Sequence, residues 1–297
     1  YITNLLEYDG EGLKIDNTPD ENIRYYGSDP NNYVSFNNEL WRIIGVFGNN
    51  VKLVRSEKLG NLSWDSSDES INGGTGINQW GESTYEDGNE YAGADLKNYL
   101  NTMYYGGTTV TCYNGQNNQT TTCPTNTLDE LSKTLIDNHT WNTGAIEFNT
   151  ITDTLASYSA ERGTKGKICS SGYNCNDTVI RTSEWTGYIG LPYVTDWAYA
   201  SSESDCETNI DNSSTKKCKN NNWMHYGSEY DDKIWYLSPN AHSFFASSVW
   251  YVRGDGHVDS SAAALLSVFP TIYLKSNVLI ESGNGSTSDP YVLKLGN

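Results

Sequence analysis

The clearest strand pattern in the chain lies in the stretch "NYVSFNNELWRIIGVFGNNVKLVRSEKLG" at positions 32–60. Its segments LWRIIGVF and VKLVRS are rich in β-branched and aromatic residues, which predicts two successive strands. Positions 36–40 predict a tight turn before the first strand, and Gly48-Asn49-Asn50 predicts a turn between the two. Connections this short join antiparallel neighbours, so the stretch predicts an antiparallel meander.

Two later segments have the spacing of helices. In AGADLKNYLNTMYY (92–105), apolar residues recur at i, i+3, i+4 and i+7 from Leu96, which predicts an amphipathic helix. In TLDELSKTLIDNHTW (127–141), Thr127 as N-cap and Glu130 three residues later predict a helix that begins with a capping box.

From position 145 onward the pattern returns to short strands separated by turns. IWYLSP, SVWYVRGDGHVDSS and FPTIYLKSNVLI predict the late strands, and SGNGSTSDPYVL closes the chain. The sequence therefore predicts an α+β fold of short antiparallel strands, about two helices and long loops pinned by disulfides. We expect residues 1–30 to form an N-terminal extension and residues 31–297 to form one domain with insertions.

The composition excludes several classes of protein. The chain has 297 residues and a formal net charge of -18, so phosphate backbones would be repelled and nucleic acid is not an expected partner. Mean hydropathy is -0.61, and no run approaches the roughly 18 apolar residues of a membrane span. The 9 Trp and 22 Tyr argue against disorder, because disordered chains are poor in aromatic residues.

The six cysteines fall into three local pairs, each enclosing a short polar segment: Cys112 with Cys123, Cys169 with Cys175, and Cys206 with Cys218. None has the C-x₂-C spacing of a zinc site, which favours disulfides that pin surface loops. Disulfides persist in oxidising compartments, so we expect a secreted or surface-exposed, extracellular protein. Because the chain starts at Tyr1 without a signal sequence, we expect removal of a leader or a trimmed start.

No residue pattern argues for an enzyme or a cofactor. The four histidines are His139, His225, His242 and His257. None of them has a carboxylate or nucleophile partner at a spacing typical of a catalytic site. The S-x-x-K at Ser213 and Lys216 lies in a polar loop, and GGTGINQWG lacks the strand-to-helix context of a phosphate loop. The acidic, Asn-rich loops WDSSDES and ASSESDCETNIDN leave a structural calcium ion as an alternative to solvated loops, and no other metal is expected.

The residues of positions 241–276 differ from those of the rest of the chain. This stretch contains no Asn, and from Ala241 to Phe269 there is also no Lys, Glu, Gln or Met. Apart from Trp250, every amino acid found between Ala241 and Phe269 has a codon that differs from an Asn codon (AAC or AAT) only at the adenines. Composition alone leaves two explanations open: a half-buried pair of strands, or a segment diversified by mutation at adenines.

Three segments carry a resemblance to a known group of proteins: NIRYYGSDPNNYVSFNNELWRIIGVF (22–47), WTGYIGLPYVTDWAYAS (185–201), and IWYLSPNAHSFFASSVWYVRGDGHVDSS…VFPTIYL (234–274). The chain resembles secreted or surface proteins of Firmicutes and other gut bacteria. Its C-terminal part is similar to C-type-lectin-fold proteins diversified by retroelements, which are distantly related in fold to formylglycine-generating enzymes. This resemblance implies a C-type-lectin-like ligand-binding domain over 31–297, and it favours the diversification explanation.

The sequence departs from those families in ways that limit what carries over. The late Gly-x-Arg-Pro of diversified proteins is Ser267-Val268-Phe269-Pro270 here. The W-N-D and E-P-N motifs of calcium-dependent lectins are absent, so sugar binding does not carry over. All six cysteines fall into local pairs, which removes most support for a formylglycine-generating enzyme.

Alternation along the late strands separates predicted core residues from predicted display residues. Trp250, Val252 and Val258 are the predicted core, and Gly254-Asp255-Gly256 predicts a hairpin turn. The RGD tripeptide then arises as a by-product of this turn beside a variable arginine. The predicted ligand-binding face comprises His242, Ser243, Phe244, Phe245, Tyr251, Arg253, His257, Asp259, Ser260, Ser261, Leu265 and Leu266.

These observations predict a binding protein that is secreted or displayed on a bacterial surface. Its partner would be a protein or a glycan on another cell or a host surface, bound by the late strands without chemistry. The alternative is a structural pilin or filament subunit that carries a lectin-like domain, and an enzyme of the formylglycine-generating type is a distant third.

Overall fold

The computed structural model describes residues 12–66, 79–85, 88, 90–91, 93–115, 118–147, 149–163, 179–210, 217–227, 232–241, 248–261 and 264–296. Its strands, in chain order, are β1 (Leu13–Ile15), β2 (Ile23–Tyr25), β3 (Tyr33–Phe36), β4 (Glu39–Phe47), β5 (Asn50–Arg55), β6 (Gly60–Leu62), β7 (Ser83–Tyr85), β8 (Glu90–Tyr91), β9 (Cys112–Tyr113), β10 (Thr120–Thr121), β11 (His139–Asn142), β12 (Ile146–Glu147), β13 (Val179–Arg181), β14 (Glu184–Gly187), β15 (Ile189–Gly190), β16 (Lys233–Ala241), β17 (Val249–Arg253), β18 (Val258–Ser261), β19 (Leu266–Val268), β20 (Thr271–Tyr273), β21 (Val278–Ser282) and β22 (Tyr291–Leu295). Its α-helices are α1 (Asp95–Asn98), α2 (Glu130–Leu135), α3 (Thr154–Glu161) and α4 (Val194–Tyr199). The described part of the chain is therefore a mixed α+β fold in which strands dominate, as predicted.

The predicted meander is confirmed and forms the centre of the largest sheet. β3, β4 and β5 are successive antiparallel neighbours. Asn37 and Asn38 turn the chain between β3 and β4 with φ angles of 55° and 56°. Asparagine tolerates this left-handed region better than most residues, which is why an Asn-Asn pair closes a tight hairpin.

The largest sheet has nine strands in the spatial order β15-β20-β5-β4-β3-β22-β21, with β2 joined to β4 and β1 joined to β2. The C-terminal strand β22 lies parallel to β3. Of the predicted N-terminal extension, residues 12–30 are described, and they contribute β1 and β2 to this sheet. The two strands have three residues each, too short to show an alternating pattern in the sequence.

A second sheet holds the late strands β16 to β19, whereas β20, β21 and β22 belong to the nine-stranded sheet. Its six strands follow the order β18-β17-β16-β19-β6, and β12 pairs with β16 in parallel. Three small sheets complete the described strands: β13-β7-β8, β9-β10 and β11-β14. The predicted late strands are confirmed, and β18 forms one edge of the six-stranded sheet.

The two predicted helices have different outcomes. The first is confirmed as a helical segment: α1 covers Asp95–Asn98, and the chain continues as a π-helix over Tyr99–Tyr104. The second is shorter than predicted and is capped by Asp129, whose side chain accepts a hydrogen bond from the Ser132 backbone N–H at 2.6 Å. Thr127 is therefore not the N-cap. The chain leaves the helix at Ile136, whose backbone is extended, and His139–Asn142 pairs with β14 as a strand.

Two further helices were not predicted. Asp153 caps α3 by accepting a hydrogen bond from the Ala156 backbone N–H at 2.8 Å. All six residues of α4 are buried, so this helix lacks the polar face that makes helical periodicity visible in a sequence.

The core is rich in tryptophan. The fully buried indoles are Trp41, Trp64, Trp80, Trp141, Trp197, Trp235 and Trp250. The Trp64 ring meets those of Trp80 and Trp235 edge to face, with centroids 5.0 and 6.1 Å apart. Such contacts add specific geometry to the burial of large apolar surfaces.

Two of the three predicted disulfides are confirmed: Cys112–Cys123 and Cys206–Cys218. Cys169 and Cys175 lie outside the described residues. Within the described residues, no helix combines the length and the apolar character that crossing a bilayer requires.

We expect Asp129→Ala to lower the free energy of unfolding by about 1 kcal/mol, because it removes the cap of α2. Thr127→Ala is the matched control and should change it by less than about 0.5 kcal/mol, since Thr127 is exposed and does not cap the helix. Urea denaturation of both variants measures the difference. A larger loss in Thr127→Ala than in Asp129→Ala would contradict the cap assignment.

Candidate functional site

The candidate site is the hairpin of β17 and β18. The two strands are antiparallel, with Val252 opposite Val258 and Val249 opposite Ser261. β17 is covered on its other edge by β16, whereas β18 is the last strand of the sheet order. Among the described strands, the hairpin therefore forms one edge of the six-stranded sheet.

The three predicted core residues anchor the hairpin. Trp250, Val252 and Val258 are buried, and the Trp250 indole N–H donates a hydrogen bond to the Ile146 carbonyl at 3.2 Å. Ile146 belongs to β12, which pairs with β16. The hairpin is thus fixed to the sheet by the burial of these side chains and by an indole hydrogen bond.

Two predicted display residues, Tyr251 and Leu266, are buried, so the prediction that they are displayed is wrong. The Tyr251 ring meets the Trp235 ring edge to face, with centroids 6.1 Å apart. Leu266 lies on β19, opposite Leu62 of β6. Alternation assigns one face of each strand to solvent, but the residues of β17 from Val249 to Val252 are all buried, and Leu266 shares the buried face of β19 with Val268.

The turn of the hairpin is held by its own side chains and backbone. The Arg253 guanidinium donates to both carboxylate oxygens of Asp255, at 3.1 and 2.5 Å. Asp255 also accepts the His257 backbone N–H at 3.1 Å. Gly256 has a φ of 81°, a backbone conformation that favours glycine. Because Arg253 and Asp255 bind each other, the RGD tripeptide does not present its two charges separately.

The turn is also tied to the body of the protein from both sides of Gly254. The Gly254 N–H donates to the Asp232 carbonyl at 2.6 Å, and the Gly254 carbonyl accepts a hydrogen bond from His225 Nε2 at 2.9 Å. His225 was not among the predicted site residues. A lone histidine in a polar loop gives no sequence signal that it contacts a turn 29 residues away.

Register places a further predicted residue beside the turn. β16 is antiparallel to β17, with Lys233 opposite Arg253, and parallel to β19, with Ile234 opposite Ser267. Leu265 therefore lies at the same end of the sheet as the turn, and 44% of it is exposed. With half-exposed His257, it gives this end an apolar and a polar contact group.

Three further predicted residues lie on the edge strand β18. Asp259, Ser260 and Ser261 form the backbone ladder of β18 with β17. His242, Ser243, Phe244 and Phe245 lie outside the described residues. The strands that flank them, ending at Ala241 and beginning at Val249, meet at the opposite end of the sheet from the turn. Of the predicted residues that the structure describes, Arg253, His257 and Leu265 thus lie at the turn end of the sheet, and Asp259 to Ser261 follow β18 away from it.

The described residues offer no evident metal site. They contain no group of three or more His, Cys, Asp and Glu side chains that could hold a metal ion. Parts of the two acidic loops that suggested calcium, residues 67–70 and 211–212, lie outside the described residues.

Burial lowers the pKa of His225 below its ordinary value of 6.5, and the charge of Lys219 acts in the same direction. The Gly254 carbonyl, Asp255 and Asp232 oppose this shift without reversing it. Its Nδ1 is buried and has no hydrogen-bond partner among the described residues. A proton added there would have no acceptor, so the neutral ring suits the folded protein.

We expect stability from this histidine to be present above pH 6.5 and to be lost as the pH falls, because the unfolded chain takes up the proton first. The variant His225→Gln keeps an N–H donor but does not titrate. Between about pH 8 and about pH 5, wild type should lose more unfolding free energy than this variant. Equal pH dependence of the unfolding free energy in urea denaturation would contradict the lowered pKa of His225. His139 is present in both proteins, so its contribution cancels in the comparison.

Comparisons of the chain with family models, with curated proteins and with solved structures gave no match.

Proposed function

We propose that this chain is a ligand-binding protein, secreted or displayed on a cell surface, whose partner binds the edge formed by β17, β18 and their turn. One observation carries the proposal: the hairpin is anchored by buried Trp250, Val252 and Val258, while at one end of it Leu265 is exposed, His257 is half-exposed and the Arg253 side chain keeps 13% of its surface exposed. An anchored edge with accessible polar and apolar groups is the arrangement of a binding surface.

The rigidity of the turn supports binding with little ordering cost. Gly254 is held through its N–H by Asp232 and through its carbonyl by His225, and Arg253 is paired with Asp255. A surface that is already ordered loses less conformational entropy when a partner binds. The ligand would therefore meet a preformed surface.

The unusual composition of positions 241–269 supports the same location. This stretch, which lacks Asn, Lys, Glu, Gln and Met, contains the hairpin and Leu265. We assign the scaffold to the C-type-lectin-like class and the stretch to retroelement diversification as parts of this proposal. Both follow from the resemblance in the sequence, and the ligand class is a protein or a glycan.

An extracellular location is compatible with the two disulfides, which persist in oxidising compartments. The net charge of -18 favours partners that carry basic groups over nucleic acids or other polyanions. We therefore place the partner outside the cell that makes this protein.

The test is a screen of glycans and host proteins, followed by His257→Ala, Leu265→Ala and Arg253→Ala. We expect each variant to weaken the best ligand by at least about tenfold, which corresponds to about 1.4 kcal/mol. The matched control is Lys294→Ala, which removes a side chain that is 51% exposed on β22 of the other sheet. Titration of each variant by surface plasmon resonance gives the affinities.

Thermal unfolding must show that the variants keep the wild-type fold, because Arg253→Ala also removes the ion pair of the turn. Unchanged affinity in all three edge variants would place the binding site elsewhere on the protein. A loss in Lys294→Ala as large as that in the edge variants would mean that binding follows general surface charge.

A further inference from the structure

A lysine and an aspartate meet in the interior of the protein. Lys52 of β5 and Asp196 in the first turn of α4 are buried, and Lys52 Nζ lies 2.5 Å from Asp196 Oδ2. Since Oδ2 is bonded to Cγ, the amine stands within about 4 Å of the carboxyl carbon, close to the separation of reacting atoms.

Aromatic rings surround the amine. The rings whose centroids lie 4.0 to 5.6 Å from Lys52 Nζ are those of Tyr193, Phe47, Tyr273 and Trp141. Such surroundings keep bulk water from the pair. A condensation that releases water is favoured where water is scarce, and hydrolysis of its product is slowed.

The carboxyl group of Asp196 receives two further hydrogen bonds. Arg24 Nη1 donates to Oδ1 at 2.7 Å, and the Tyr193 backbone N–H donates to Oδ2 at 2.9 Å. If an amine adds to Cγ, negative charge develops on Oδ1, where the guanidinium already lies. Donors fixed at the place where charge develops are the usual means of stabilising an addition intermediate.

The protonation states of Lys52 and Asp196 permit the attack after one proton transfer between them. Burial lowers the pKa of Lys52 to about 8, which makes its neutral amine accessible. Burial raises the pKa of the Asp196 carboxyl, but Lys52 and Arg24 outweigh this and hold it below its ordinary value. The ion pair is therefore the resting form, and the proton must move along the Nζ–Oδ2 hydrogen bond before attack.

We propose that Lys52 and Asp196 condense to form an intramolecular amide crosslink. The ammonium gives one proton to Oδ2, and the neutral Nζ then adds to Cγ. The tetrahedral intermediate loses a second proton from Nζ to the Oδ2 hydroxyl, the Cγ–Oδ2 bond breaks, and one water leaves. An ammonium and a carboxylate thus become one amide and one water, without an oxidant or a co-reactant.

The crosslink joins residues 144 positions apart and ties α4 to the nine-stranded sheet. It would close a far longer loop than either disulfide of the described residues, and reducing agents would not open it. An extracellular protein would gain resistance to unfolding that does not depend on the redox state of its surroundings.

Mass spectrometry of the folded wild-type protein, after reduction and denaturation, tests the proposal. We expect the intact mass to lie below the sequence mass by one water. Proteolysis should then release a branched peptide that contains Lys52 and Asp196. The pair Lys14–Glu207 is the internal control, because its 2.6 Å separation is similar but its side chains are partly exposed, so its two peptides should be recovered separately.

The variant Lys52→Met removes the nucleophile while keeping much of the side-chain volume, and its intact mass should equal its sequence mass. A folded wild-type protein with the full sequence mass would overturn the proposal. So would a water loss that persists in Lys52→Met, because the lost water would then come from another site. The wild-type measurement stands by itself even where the variant does not fold.

Discussion

The structure depends on four charged side chains that are buried together. Arg24 binds Asp16 through Nε at 2.5 Å and Asp196 through Nη1 at 2.7 Å, and Lys52 binds the other oxygen of Asp196. The two positive and two negative charges balance. A buried charge that loses its partner costs several kcal/mol, so the segments that supply these residues must come together as one unit. They are the N-terminal strands, the central meander and α4.

Hydrogen bonds of the neighbouring Glu161 connect these charged residues to the sheet that carries the proposed binding edge. Glu161, at the end of α3, is buried and accepts hydrogen bonds from Thr195 of α4 at 2.6 Å and from Ser238 of β16 at 3.2 Å. Burial raises the pKa of Glu161 above its ordinary value. β16 is the strand on which the hairpin is built, so its position follows from helices that the charged residues fix in place.

Local signals in the sequence predicted the parts of the fold that local forces determine. The Asn-Asn turn, the strands of the meander and the hairpin with its anchors, such as Trp250, belong to this group. Lys52, a charged residue within a predicted strand, has its partner 144 positions away, and no local pattern reveals such a contact. The same limit hid α4, which is buried all round, the burial of Tyr251 in an interior strand, and the hydrogen bond between His225 and the turn.

The hairpin turn allows the proposed binding edge to change its side chains and keep its shape. Several of its contacts use backbone atoms, among them these three: Gly254 N–H to Asp232, the Gly254 carbonyl to His225, and Gly256 N–H to the Arg253 carbonyl at 2.8 Å. Substitution at position 257 leaves all three in place. Because the geometry of the turn resides in the backbone and in the buried anchors, the exposed side chains at the turn can vary without changing the fold, as the proposed binding function requires.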